Sequence, residues 1–86
     1  MKVKAVYDNG GASIDRFTIV YNSSRISQGR KLWECVGSSM HPTHPQGFFQ
    51  HGDCVLGNHL GKKIKFGELP EEVRKCVERD LAEDKE

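Results

Sequence analysis

The amino-acid sequence predicts an α+β fold: a small antiparallel β-sheet of three to five strands with one C-terminal α-helix packed on it. Three observations carry that expectation. Short segments that alternate with period two and hold β-branched or aromatic residues recur through the first two-thirds of the chain. Clusters of Gly, Asn, Asp and Ser punctuate them. One apolar stripe at helical spacing closes the sequence. With 86 residues a single core is the expectation, so residues 1–82 form one α+β domain and 83–86 a frayed tail.

The elements follow in order. Val3, Ala5 and Tyr7 alternate with Lys2, Lys4 and Val6 as a first strand with one buried face. Asp8-Asn9-Gly10-Gly11 reads as a tight turn, because Asn-Gly and Gly-Gly steps tolerate positive φ. The run Asp15 to Tyr21 is a second strand with Phe17, Ile19 and Tyr21 on one face. Asn22-Ser23-Ser24 signals a turn, and Lys31 to Val36 a third strand with Trp33 and Cys35 sharing a face. The stretch 37–61 is rich in Gly, Pro, Ser and His. A loop that long is either functional or hides strands. Cys54-Val55-Leu56 is the best hidden strand, and Phe48-Phe49 pins the loop to the core. Lys62 to Phe66 alternates again, with Ile64 and Phe66 inward.

The helix is the clearest element. Leu69, Val73, Cys76, Val77 and Leu81 form one stripe. Pro70 suits the first turn, Glu71 and Glu72 suit the positive end of the macrodipole, and Glu71 and Lys75 are a favourable i,i+4 pair.

Composition narrows the function classes. Thirteen Lys and Arg against twelve Asp and Glu give +1, a smaller excess than strong non-specific nucleic-acid binders carry. No segment has the ~20 apolar residues of a bilayer span, and the start has no apolar signal-peptide core. Cys35, Cys54 and Cys76 are odd in number and lack CxxC spacing, which suggests reduced thiols and a cytoplasmic address.

Two side-chain groups are candidates for chemistry. His41, His44, His51, Cys54 and His59 crowd one stretch, and imidazole with thiolate is a zinc-ligand set. Only His51-x-x-Cys54 has pair-like spacing, and Pro42 interrupts the His41–His44 pair. A polar loop with hydrogen-bonded histidines is the simpler reading. Asp8, Asn9, Asp15 and Arg16 flank one turn, where paired carboxylates could hold a cation or serve as acid and base. The spacing is not that of a calcium loop, and turn chemistry explains Asp8 to Gly11. Phosphate-loop, GxSxG and HExxH motifs are lacking, and nothing marks Cys54 as an activated nucleophile. Lys62, Lys63 and Lys65 with Arg30 and Lys31 would make at most a modest basic edge, and lysines also guard strand edges against aggregation.

An ordered set of short words carries a resemblance: Tyr7-Asp8-Asn9-Gly10-Gly11, Asp15-Arg16-Phe17-Thr18-Ile19, His44-Pro45-Gln46-Gly47-Phe48, His59-Leu60-Gly61-Lys62-Lys63-Ile64 and Leu69-Pro70. Together they are similar to a family of small, mostly uncharacterised proteins encoded by bacteriophages and prophages. The words span most of the chain before the helix, but 22–30 and 37–43 carry none. The resemblance brings no catalytic residues. It implies an accessory protein in the host cytoplasm that binds a bacterial host protein or complex stoichiometrically. An inhibitor of a defence system such as a CRISPR effector is one version. Phosphate mimicry fits poorly with a charge near zero. The expectation is therefore a binder without catalysis or cofactor, using Asp8, Asn9, Asp15, Arg16, Phe48 and Phe49 as surface; Trp33 is a further aromatic candidate, but core packing is the simpler reading for it. The alternatives are a zinc-stabilised His/Cys module, or a small nucleotide-binding or phosphodiester-cleaving protein built on Asp8, Asp15, Arg16 and the histidines.

Overall fold

A computed structural model describes residues 2–13 and 15–83. Five strands, β1 (Val3–Asp8), β2 (Phe17–Ser27), β3 (Arg30–Ser38), β4 (Phe49–Cys54) and β5 (Lys62–Ile64), precede one helix, α1 (Glu71–Glu83). They form a single sheet in the order β4-β3-β2-β1-β5, with every neighbouring pair antiparallel. The expected α+β architecture is the observed one. Residues 84–86 of the expected tail lie outside the described residues.

Helix α1 covers one face. Leu69, Val73 and Val77 bury against Val6, Phe17, Ile19, Tyr21 and Val36, with Phe49, Ile64, Phe66 and Leu81 at the margin. The shared face of Phe17, Ile19 and Tyr21 is therefore the helix face. Pro70 precedes the helix and its carbonyl accepts the first helical bond, from the Arg74 N–H at 3.0 Å, so its missing N–H costs nothing.

The opposite face holds a smaller cluster, Ala5, Val20 and Cys35, flanked by Tyr7, Trp33, Cys54 and Leu56. Strands β4 and β5 are the two edges of the sheet, so residues 55–61 must cross it. Leu56 packs on the Ala5–Val20–Cys35 cluster, which places the crossing on the face away from α1. This strap is nearly extended at Gly57 (φ 169°, ψ 177°) and tightens into a single turn at Asn58–Leu60. It ends at Gly61, where φ is +102° and a Cβ would collide with the backbone of Asp8 and Asn9.

Four local expectations need correction. The first strand buries both faces, because a bulge between Val3 and Ala5 shifts the alternation: Val3 and Val6 face α1, and Ala5 and Tyr7 face away. Asn22-Ser23-Ser24 is not a turn. It lies within β2 as an irregularity between Val20 and Ser24, and the chain reverses at Gln28 and Gly29, both at positive φ (52° and 78°). The strand hidden in the long loop is Phe49–Cys54, not 54–56. Strand β5 stops at Ile64, and Phe66 opens a short 3-10 turn capped where Glu68 Oε2 accepts the Lys65 N–H at 2.8 Å.

Candidate functional site

The face carrying the strap combines aromatic area with positive charge. Alternation brings Trp33 on β3 to the same side as Cys35. The indole is half-buried and has two ammonium groups over it, Lys4 Nζ at 4.5 Å and Lys31 Nζ at 4.8 Å from the ring centroid. Such cation–π contacts hold the lysines against the ring while their charges stay in water. Tyr7 lies on the same face, with Lys63 of β5 directly across from it. Glu34 and Asp53 sit on alternate positions and therefore belong to the helix side. Residues 1–70 hold nine Lys and Arg against five Asp and Glu, whereas residues 71–86 hold four against seven. The near-neutral total conceals a positive sheet and a negative helix.

Next to this patch is a groove of ≈ 250 Å³. Gly37 and Gly52 leave its floor without side chains, and Phe48, Asp15 and Leu60 border it. Cys35 and Cys54 share its wall. Burial pushes the Cys35 thiol up to about 12, aided by a hydrogen bond with Cys54. Burial likewise raises Cys54. Burial thus disfavours the thiolate at both, which is the wrong direction for an activated nucleophile.

A second depression, ≈ 430 Å³, lies where the β1–β2 connection meets the loop after β3. Arg16 and His41 line it together with Met40 and His44, and Arg16, His41 and His44 each already have a partner. Arg16 Nε and Nη2 donate to the two carboxylate oxygens of Asp8 at 2.8 and 3.2 Å. That hydrogen bond holds the Asp8 carboxyl below the usual carboxylate range. His41 faces Glu72 at 3.5 Å, and His44 Nδ1 accepts the Gln46 N–H at 3.1 Å. Among the described residues its charged lining group, Arg16, is paired with Asp8, so volume alone does not make this depression the site.

The expected surface residues divide among several roles. Asn9 organises its loop: Oδ1 accepts the N–H groups of Gly11 and Ala12, and Nδ2 donates to Ser13 Oγ and the Asp15 carbonyl. The Asp8 side chain accepts the Gly10 N–H besides binding Arg16. Asp15 accepts from Ser13 Oγ and approaches Gly37. The two carboxylates are therefore engaged separately and do not form an acid–base pair. Phe48 borders the groove, while Phe49 joins the helix-side core.

The five candidate zinc ligands are dispersed. His51 Nε2 meets Asp80 Oδ1 at 2.9 Å on the helix side, whereas Cys54 faces the other way beside Trp33 and Cys35. A three-residue step in a strand sends side chains to opposite faces, so the x-x spacing could not converge. His41 and His44 belong to the loop after β3, and His59 packs on Gly57 in the strap. Among the described residues, no group of three metal-ligating side chains comes together. Arg30 and Lys31 lie beyond the far end of β1 from Lys62, so the five basic residues do not form one edge.

Sequence reasoning passed over Lys4 and Tyr7 as functional residues and did not pair Trp33 with the lysines. Alternation places Lys31 with Trp33, but it sets Lys4 and Tyr7 on opposite faces, so joining the group needs the bulge in β1 and the β1–β2–β3 register. Comparison with family models, with curated proteins and with solved structures finds no match. Among the described residues, no helix is long and apolar enough to cross a membrane.

Proposed function

We propose that this chain acts by stoichiometric, non-catalytic binding, presenting the strap-bearing face of its sheet to an acidic surface of a bacterial host protein. The observation that carries the reading is Trp33 held beneath Lys4 and Lys31, with Tyr7 and Lys63 alongside. A half-buried indole supplies the large, rigid contact area typical of interface anchors. The ammonium groups supply steering and register. The bacterial host context comes from the resemblance to phage-encoded proteins. An inhibitor of a defence complex built on this face would cover an acidic surface, not imitate phosphates.

The test is capture of partners from bacterial lysates, including phage-infected cells, with the tag on the C-terminus, beyond α1. The expected result is one stoichiometric partner at moderate salt that is lost with the Lys4→Glu/Lys31→Glu double variant while thermal stability is kept. Retention of the partner by that variant would remove this face from the reading. Capture of nothing by the wild-type protein would remove the binder reading itself.

A further inference from the structure

The two edges of the sheet are unequal. Edge strand β5 is three residues long and two of them are lysines, which is how exposed edges are commonly kept from pairing. Edge strand β4 has six residues, Phe49-Gln50-His51-Gly52-Asp53-Cys54, without Lys, Arg or Pro, and its middle four are exposed. Its inner side is fully laddered to β3 from Phe49 to Cys54. Among the described residues its outer side receives no backbone or side-chain hydrogen bond. That leaves a row of unsatisfied backbone donors and acceptors of the kind that an added strand completes.

The side chains specify which strand fits. His51 and Asp53 are two apart and so lie on the same face. Both are partly exposed at the edge, at 54% and 41% of the side chain. Paired antiparallel to itself with Gly52 opposite Gly52, the strand sets each His51 against Asp53 of the second copy, twice over by symmetry. Shifting the register by one residue sets His51 against Gly52 and Asp53 against Gln50, so the imidazole and the carboxylate no longer meet. The favoured register also joins two side-chain contacts already present, His51–Asp80 at 2.9 Å and Arg25–Asp53 at 2.6 Å. The result is a continuous line of polar side chains, Arg25, Asp53, His51 and Asp80, that crosses the junction on each side of the two-fold axis. Gly52 on the axis adds no bulk, and its surroundings are open.

We infer that β4 is a self-pairing edge, joining two copies of this chain into a ten-stranded antiparallel sheet centred on Gly52. This surface is separate from the Lys4–Trp33–Lys31 patch and does not depend on it. An isologous contact of this kind closes after two copies. A six-residue edge is smaller than a standard interface of ~800 Å² per partner, so the dimer dissociates on dilution.

Sedimentation equilibrium over about 5 µM to 1 mM, with disulfide trapping, tests the inference. The expected result is a monomer–dimer equilibrium that Asp53→Lys shifts at least tenfold toward monomer and that His51→Lys leaves in place. In the same register Gln50 faces Cys54 of the second copy. Gln50→Cys treated with oxidised glutathione therefore gives a covalent dimer on a non-reducing gel, while Gly67→Cys at an open position elsewhere does not. Wild-type monomer throughout the range, a dimer indifferent to Asp53→Lys, or equal trapping by both cysteine variants would overturn it. Pairing of β4 with a different protein's strand would show as wild-type monomer here.

Discussion

Asp8 and Arg16 show how a motif that invites a catalytic reading can be structural. The carboxylate receives two N–H groups from Arg16 and one from Gly10, and the Arg16 hydrogen bond is the main cause of its lowered pKa. A carboxyl whose folded pKa is depressed adds stability above its unfolded pKa and loses it as pH falls through the folded value. Urea midpoints measured between about pH 5 and pH 2 should therefore fall more steeply for the wild-type protein than for Asp8→Asn. The same economy explains why these turn residues stand out in the sequence while their roles do not. Asn9 is consumed in closing its loop. Gly61 lets the strap meet Asp8 and Asn9, and a Cβ on Gly47 would collide with the His41 carbonyl. A sequence shows that such residues are special, but tight turns and presented surfaces draw on the same Gly, Asn and Asp.

Secondary structure was legible where one face is buried and misread where pairing overrides propensity. The helix stripe and the Phe17–Ile19–Tyr21 face needed only periodicity. The β2–β3 reversal did not follow composition, because Asn22-Ser23-Ser24 was absorbed as a strand irregularity and a Gln took the positive-φ position. A two-residue hairpin loop with both φ positive favours Asn-Gly. Gln28→Asn should accordingly stabilise the protein by a few tenths to about 1 kcal/mol in urea unfolding, with the slope unchanged. The join between helix and sheet makes the opposite prediction. Tyr21 is fully buried and its hydroxyl donates to Asp80 Oδ2 at 2.6 Å, while His51 approaches the other oxygen. Tyr21→Phe removes a hydrogen bond to a charged group and should cost about 1.5–3 kcal/mol. The loss should be constant across neutral pH, because burial and the Asp80 hydrogen bond hold the phenol far above its ordinary value.

At the scale of the whole molecule, net charge is a misleading guide to what this protein meets. A total of +1 predicts indifference to polyanions, yet the basic residues are concentrated in the sheet and its connections and the acidic ones in the C-terminal segment. Fields from separated charges act over roughly a Debye length, ~10 Å at 0.1 M salt, and the protein measures 37 × 32 × 23 Å. An approaching surface therefore senses one side at a time. Two single substitutions separate local field from total charge. Lys4→Glu reverses a charge beside Trp33, and Lys75→Glu makes the same change of net charge on α1, where Lys75 already faces Glu71 at 3.5 Å. If total charge governed adsorption, both variants would elute from a cation-exchange column at the same salt. The segregated field predicts that Lys4→Glu elutes well before Lys75→Glu at matched pH. Co-elution of the two would mean that the strap-bearing face presents no field of its own, and electrostatic steering would then have no part in how this protein finds a partner.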